Sequence, residues 1–272
     1  MNSYSTLTQL KSASYLNIST VTDYDTPLLN LLIQSSRLID KWCERFFYVK
    51  TETRYYDGAG RTLRPNDILS ITTLKTDEDG DATFENSFAT TDYFLYPLND
   101  YPKTEIQINP NGDYGSFANG IKKGIEIIGS FGYADNLTPY ISVGTLGVAI
   151  TSTTATSATM TTGHSVEAGH TILIDNEQMF VSAVSTNTLT IKRGMNGTTA
   201  ATHLINVTVS AYEYPMPITQ ACLITAMRAF KRKDSAFQDM VGSPETGQII
   251  MSKGVDPDVV ETIKEYRRLS YP

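Results

Sequence analysis

The sequence has no run near the ~18 consecutive apolar residues that a membrane-spanning helix requires, so it is not expected to cross a bilayer. Its start, Met1 to Ser14, lacks both a basic segment and an apolar core of the kind that directs secretion, and synthesis and assembly in a cytosol are expected. Cysteine is nearly absent. The two present, Cys43 and Cys222, each fall within a helical apolar pattern and are expected to be small buried hydrophobes in a reducing compartment. Histidine is scarce too, and all three, His164, His170 and His203, lie in one stretch. Two of them could join Asp175 around a metal, but a spacing of six between His164 and His170 suits neither one helix face nor a zinc pattern, and surface turns are the expected setting. There is no glycine-rich phosphate loop, no nucleophile elbow, no paired-cysteine motif and no evident Ser, His and Asp grouping. Nothing asks for a cofactor, and an enzyme is not expected.

An excess of cations is also missing. The net charge is −7 with a pI near 5.0, which argues against a module that holds DNA by neutralising phosphates. The acidity is uneven: residues 1–142 carry net −6, residues 143–212 net −1, and residues 213–272 are neutral.

What is present is an ordinary soluble composition, 40% hydrophobic and 19% charged, over a length that allows one large domain or two. A short helix is expected after the candidate caps Ser5 and Thr6, ending near Asn17. A longer one begins with Pro27 at its first position, and Leu28, Leu31, Leu32, Ser35, Leu38, Ile39, Trp42 and Phe46 recur on one face. Leu31, Leu38 and Trp42 are taken as its core. Between Val49 and Tyr133, short alternating runs punctuated by Asp57-Gly58, Asp79-Gly80 and Asn111-Gly112 predict β-hairpins. Residues 143–212 turn rich in Thr, Ser and Gly, with runs such as Thr171–Ile174 and Met179–Val181, and predict a small all-β module. After Pro215 and Pro217 the helical period returns at Ile218, Ala221, Cys222, Thr225, Ala226 and Ala229, and a last helix follows Asp256-Pro257.

The order of these pieces resembles the head-tail connector adaptors of long-tailed bacteriophages. Trp42, Cys43, Arg45 and Phe46 match the family's aromatic stretch after an amphipathic helix. Tyr56-Asp57-Gly58 matches its turn, Asp79 to Asp81 its Asp-Gly-Asp hairpin, Asp92 to Pro97 its Asp-Tyr-x-Leu-x-Pro run, and Gly129 to Tyr133 its Gly-x-x-Gly-Tyr before a late helix. The likeness covers most of residues 6–140 and 213–271, and residues 143–212 stand where the compact family pattern has nothing. The expected fold is α+β: a helical adaptor core with β-hairpins, formed by residues 1–142 and 213–272, plus an inserted small all-β domain at 143–212.

The resemblance implies a homo-oligomeric ring, usually of twelve copies, in the neck of a virion assembled in the host cytoplasm. Such a ring docks on the portal protein, extends the channel through which double-stranded DNA passes non-specifically, and offers a platform to a stopper or tail-completion protein. A carbohydrate-binding or adhesion protein built on the β-rich module and a hydrolase of unrecognised type are the other classes weighed. The portal contact is expected in the C-terminal segment, with Ile249, Ile250 and Met251 as a short apolar run and Tyr266, Arg267, Arg268 and Tyr271 as aromatic and cationic anchors. The acidic hairpin Asp77, Asp79 and Asp81 could face the channel lumen or solvent. Its alternating carboxylates invite a calcium reading, but Gly80 is fourth and Phe88 twelfth where an EF-hand needs Gly sixth and Glu twelfth, so a turn is the better account.

Overall fold

The computed structural model describes residues 1–235, 240–242, 249–251 and 254–268. Tyr271 lies outside the described residues. The chain divides into two compact units, one of residues 1–45, 140–195 and 199–272, the other of residues 46–139 and 196–198.

The second unit is built from strands. β1 (Lys50–Tyr56), β3 (Ile68–Thr76), β4 (Asn86–Ser87) and β7 (Ile125–Phe131) form an antiparallel sheet in the order β1-β7-β3-β4. β2 (Thr62–Leu63), β5 (Tyr93–Tyr96) and β6 (Glu105–Ile108) form a smaller one in the order β2-β6-β5. Strict alternation explains why β7 sits centrally: Ile125, Ile127 and Phe131 are buried, with Glu126, Ile128 and Ser130 between them only partly so. The buried residues join Ile68, Leu74, Phe88, Ile106 and Phe117 in one apolar cluster shared by both sheets. Gly129 is required by contact: a Cβ there would come 2.2 Å from the Ser70 carbonyl oxygen, beside the register shift that bends β3 between Ile68 and Ser70. Gly132, at φ 137°, is held by a similar approach to Tyr48.

The first unit carries the helices and a six-stranded antiparallel sheet. Its helices are α1 (Leu7–Lys11), α2 (Asp25–Cys43), α3 (Met216–Lys231) and α4 (Pro257–Tyr266). Its strands are β8 (Tyr140–Thr145), β9 (Ser157–Thr159), β10 (Thr171–Ile174), β11 (Glu177–Ser185), β12 (Thr188–Lys192) and β13 (Thr208–Tyr212), in the order β8-β13-β10-β11-β12-β9. Ile172, Ile174, Met179, Val181, Leu189, Ile191 and Val209 close a separate core on this sheet. α1 opens with a capping box in which Thr6 accepts from the Gln9 N–H and the Gln9 side chain accepts from the Thr6 N–H. α2 ends at Glu44, which adopts the left-handed conformation. Ser36 on α2 meets Cys222 on α3 at 3.4 Å, an approach that small side chains permit. No described helix is long and apolar enough to cross a membrane.

The expected helical core is overturned. β1 to β13 make three antiparallel sheets, and only about 22% of the chain is helical, so the protein is mostly β rather than an α+β adaptor built on helices. The long periodic helices are conspicuous in sequence, whereas the strands are short, broken by bulges and paired with partners far along the chain. The compact units also cut the chain differently from the expected boundaries, since the helices group with the β-rich stretch and not with the hairpins. The N-terminal residues tie the two together: Leu7 N–H donates to the Ala168 carbonyl at 2.9 Å, and Thr171 Oγ1 donates to Asn2 Oδ1 at 2.9 Å. On α2 the buried face is Leu28, Leu29, Leu32, Ser35, Ser36, Ile39 and Cys43. Leu31, Leu38 and Trp42 are half-buried along its margin. The buried face runs along 28, 32, 35, 36 and 39, and Leu31, Leu38 and Trp42 flank it.

Candidate functional site

The richest polar constellation among the described residues lies at one end of the six-stranded sheet. Glu177 opens β11 and is 1% exposed. Its Oε1 accepts from Arg193 Nε at 2.7 Å and from the Gly194 N–H at 3.0 Å. Its Oε2 accepts from Arg193 Nη2 at 2.6 Å, the Ala201 N–H at 2.9 Å and His203 Nε2 at 2.9 Å. Arg193 spends its remaining donors on carbonyls, with Nη1 2.9 Å from the Ser152 oxygen and Nη2 on that of Ala201. The other ring nitrogen of His203 lies 2.7 Å from Asp175 Oδ2. Burial alone would raise the Glu177 pKa, but Arg193, the two N–H groups and His203 outweigh it and bring it down to about 2.

This geometry ties four chain segments to one carboxylate. The turn after β10 supplies Asp175 and Glu177, the loop after β12 supplies Arg193 and Gly194, the loop before β13 supplies Ala201 and His203, and the loop before β9 supplies the Ser152 carbonyl. General acid or base work needs a group that can turn toward a substrate. Here the fork of Arg193 and both oxygens of Glu177 are engaged inside the protein, so the cluster acts as a clamp on the loops. The expectation of surface turns for the histidines fails at His203, which is 3% exposed, because it fills the space between two carboxylates. Sequence reading missed the clamp because Glu177 and Arg193 stand 16 residues apart on different strand ends and match no motif. The signal available was an isolated Glu, Arg and His in a stretch almost without charge.

The acidic hairpin is a different object. The carboxylates of Asp77, Asp79, Asp81 and Glu85 come within 4.8 Å of one another, a donor set of the type hard cations take. Three of them already serve the turn. Asp77 accepts from the N–H groups of Asp79, Gly80 and Ala82 at 3.2, 2.7 and 2.8 Å, Asp79 from that of Asp81 at 3.1 Å, and Asp81 from that of Thr83 at 2.7 Å. Burial opposes ionisation of Asp77, yet these N–H groups hold its carboxyl below the ordinary value. Asp79 and Asp81 are exposed and Asp77 is buried.

The C-terminal candidates are not brought together. Ile249–Met251 pairs antiparallel with Met240–Gly242 of the same chain, so that run already has a strand partner. Tyr266 closes α4, and Arg267 binds Glu44 at the end of α2, its Nε 3.1 Å from Oε1. The Arg268 N–H donates to the Cys43 carbonyl at 2.8 Å. α4 is further fixed by Arg228 of α3, whose Nη1 lies 2.5 Å from Asp256 Oδ2. No family model matches the chain, and no curated protein matches it either.

Proposed function

We propose that this chain is a structural subunit of a tailed-bacteriophage neck: an adaptor whose copies form a ring, usually of twelve, seated on the portal protein, extending the DNA channel and carrying a stopper or tail-completion protein. The observation that supports this reading is the ordered series of family-like motifs and the structural work each does. Asp57 of the Tyr-Asp-Gly turn accepts from the Lys123 N–H at 3.0 Å, and Gly58 could carry no Cβ against the Ala118 carbonyl. Gly129 and Gly132 of the Gly-x-x-Gly-Tyr stretch stand at the two close backbone approaches of β7 and its exit. These are demands of packing, as befits a protein whose task is to be a rigid part. The internally satisfied Glu177 clamp suits the same role. The net charge of −7 suits a channel that lets DNA pass without gripping it.

The test is electron microscopy of the purified chain mixed with portal rings from the same genome, with co-sedimentation as the quantitative readout. Rings of this chain stacked on the portal are expected. Failure to bind the portal at micromolar concentration, or specific capture of a glycan by this chain on an array, would overturn the adaptor reading, the second in favour of adhesion.

A further inference from the structure

We propose that copies of this chain join head to tail by seating an apolar tip at one end of the six-stranded sheet in an apolar cleft beside α2 of the next copy. The tip is made by two segments bonded to each other. Ile150 and His203 exchange backbone hydrogen bonds at 2.9 Å, and the Leu146 N–H donates to Val207 at 3.0 Å. Between these two rungs the chain turns out Val148 on one side and Leu204-Ile205 on the other. Their exposures are 56%, 76% and 53%, among the highest of the large apolar residues. Three aliphatic side chains held together in water mark an interaction site rather than scattered surface. The tip is also pinned, because His203, directly before Leu204, is fixed by Asp175 and Glu177.

The cleft belongs to the same unit. It has a volume of about 630 Å³ and is lined by Leu7, Leu29 and Ile33 from the helices and by Phe180, Ala183 and Val184 from β11. Polar side chains share the lining: Lys11 and Asp25 neutralise each other at 2.5 Å, and Glu167 stands beside Val166 and Ala168. Its β11 wall runs from Phe180 to Val184, whereas the tip is anchored at Glu177; at ~3.3 Å per residue that wall lies about 10–23 Å further along the strand. A pinned tip cannot reach its own cleft over that distance. A patch on one copy that fits a cleft elsewhere on another makes a heterologous contact, which closes into a ring when the rotation allows. A lipid surface is the poorer occupant, since apolar tips that enter membranes carry cations around them. Here the stretch 143–212 has only Lys192 and Arg193, and Arg193 is held by Glu177. The closure into a ring rests on the adaptor reading above; the contact itself does not.

Cysteine pairing tests it. Full-length Leu204→Cys and Ile33→Cys proteins are mixed at tens of micromolar under mild oxidation, the native Cys43 and Cys222 being buried. A disulfide-linked mixed dimer is expected, at least ten times more abundant than with Leu98→Cys, a control at another exposed leucine, in place of Leu204→Cys. The double variant carrying both cysteines should give a ladder of higher oligomers. Leu204→Glu with Ile205→Glu, both at exposed positions, should weaken self-association at least tenfold while leaving thermal melting unchanged. A mixed dimer no more abundant than the control, or unaltered self-association of the Glu variant, overturns the contact. Portal-bound rings that persist in the Glu variant sink the tip-to-cleft contact and leave the adaptor reading standing. A tip-to-cleft crosslink in a protein that never binds portal sinks the adaptor reading and leaves the contact.

Discussion

Glu177 in the first unit and Asp77 in the second are both almost inaccessible carboxylates, 1% and 3% exposed, yet they are kept ionised by different means. Glu177 is met by opposite charge, the guanidinium of Arg193, with His203 and two backbone N–H groups filling the remaining lone pairs. Asp77 is met by no cation in its cluster but by three N–H groups of its own turn, and it shares that turn with the carboxylates of Asp79, Asp81 and Glu85. The first device joins segments far apart in sequence and so secures tertiary structure. The second shapes one hairpin. Removing them should therefore have consequences of different reach, and Trp42, the single tryptophan, lies in the first unit and reports on it selectively.

The largest effect is expected from Glu177→Ala. It leaves the buried Arg193 without its carboxylate and His203 with Asp175 alone, and breaking one partner of a buried pair typically costs about 3–5 kcal/mol. The urea midpoint followed by Trp42 fluorescence should fall accordingly, while amide exchange in β1, β3 and β7 stays as in the wild type. Equal loss of protection in those strands would show that the clamp serves both units.

Next in size is a pH effect of opposite sign within the first unit. Asp40 on α2 is raised by burial to about 6, against the pull of Arg37 at 3.0 Å and a hydrogen bond from Tyr4. Because its folded value lies above the ordinary one, the stability it contributes is complete below pH ~4 and is lost as pH rises through about 6. Glu177, depressed to about 2, behaves inversely and loses its contribution only as pH falls toward that value. Asp40→Asn should stabilise the first unit by roughly 2–3 kcal/mol at pH 7 and by almost nothing at pH 4. Paired urea titrations at the two pH values measure this, and an equal difference at both would remove Asp40 as its source.

Much of the local structure was legible beforehand, and most of the assembly was not. The cap at Thr6, the start of α4 at Asp256-Pro257 and the helix through Ile218 to Ala229 follow from side-chain chemistry that acts within a few residues. What stayed hidden depends on pairing over distance. The order β1-β7-β3-β4 pairs Tyr56 with Ile125 and Lys50 with Phe131, and the cleft beside α2 draws its walls from residues near 30 and near 180. Leu31 illustrates a finer loss. A helix with apolar residues at 28, 29, 31, 32, 38 and 39 offers two overlapping faces, and only the small partners on α3, such as Ala221 and Cys222, settle that Ser35 and Ser36 point inward instead.

In the second unit, Gly129→Ala should act by overpacking. Its Cβ would meet the Ser70 carbonyl at 2.2 Å, which forces β3 and β7 apart and typically costs about 1–3 kcal/mol. Exchange protection in β3 and β7 should drop while Trp42 fluorescence keeps its midpoint. A lowered Trp42 midpoint would instead tie the first unit's stability to this strand pair.

The smallest effect is expected at Asp77, and its sign depends on which oxygen matters. Asp77→Asn keeps one carbonyl oxygen that can still accept from Gly80, but its amide group cannot accept from Ala82, so one turn bond goes while like-charge crowding with Asp79, Asp81 and Glu85 is relieved. The two changes oppose each other, so global stability should barely move, and the loss should appear as faster exchange of the Ala82 amide alone. Asp79→Asn relieves the same crowding and keeps a carbonyl oxygen that can still accept from Asp81, so it should leave the Gly80 and Ala82 amides protected. The wild type should lose that protection when acidified below the ordinary carboxylate range, because Asp77 is held below its usual value by those N–H groups and their bonds weaken once it is protonated. Amide exchange read by NMR on Gly80 and Ala82 from pH 6 downward measures all three proteins. Protection of Ala82 that survives Asp77→Asn would mean the turn is held by its glycine and its strands, and the contrast with the Glu177 clamp would then be one between an essential carboxylate and a dispensable one.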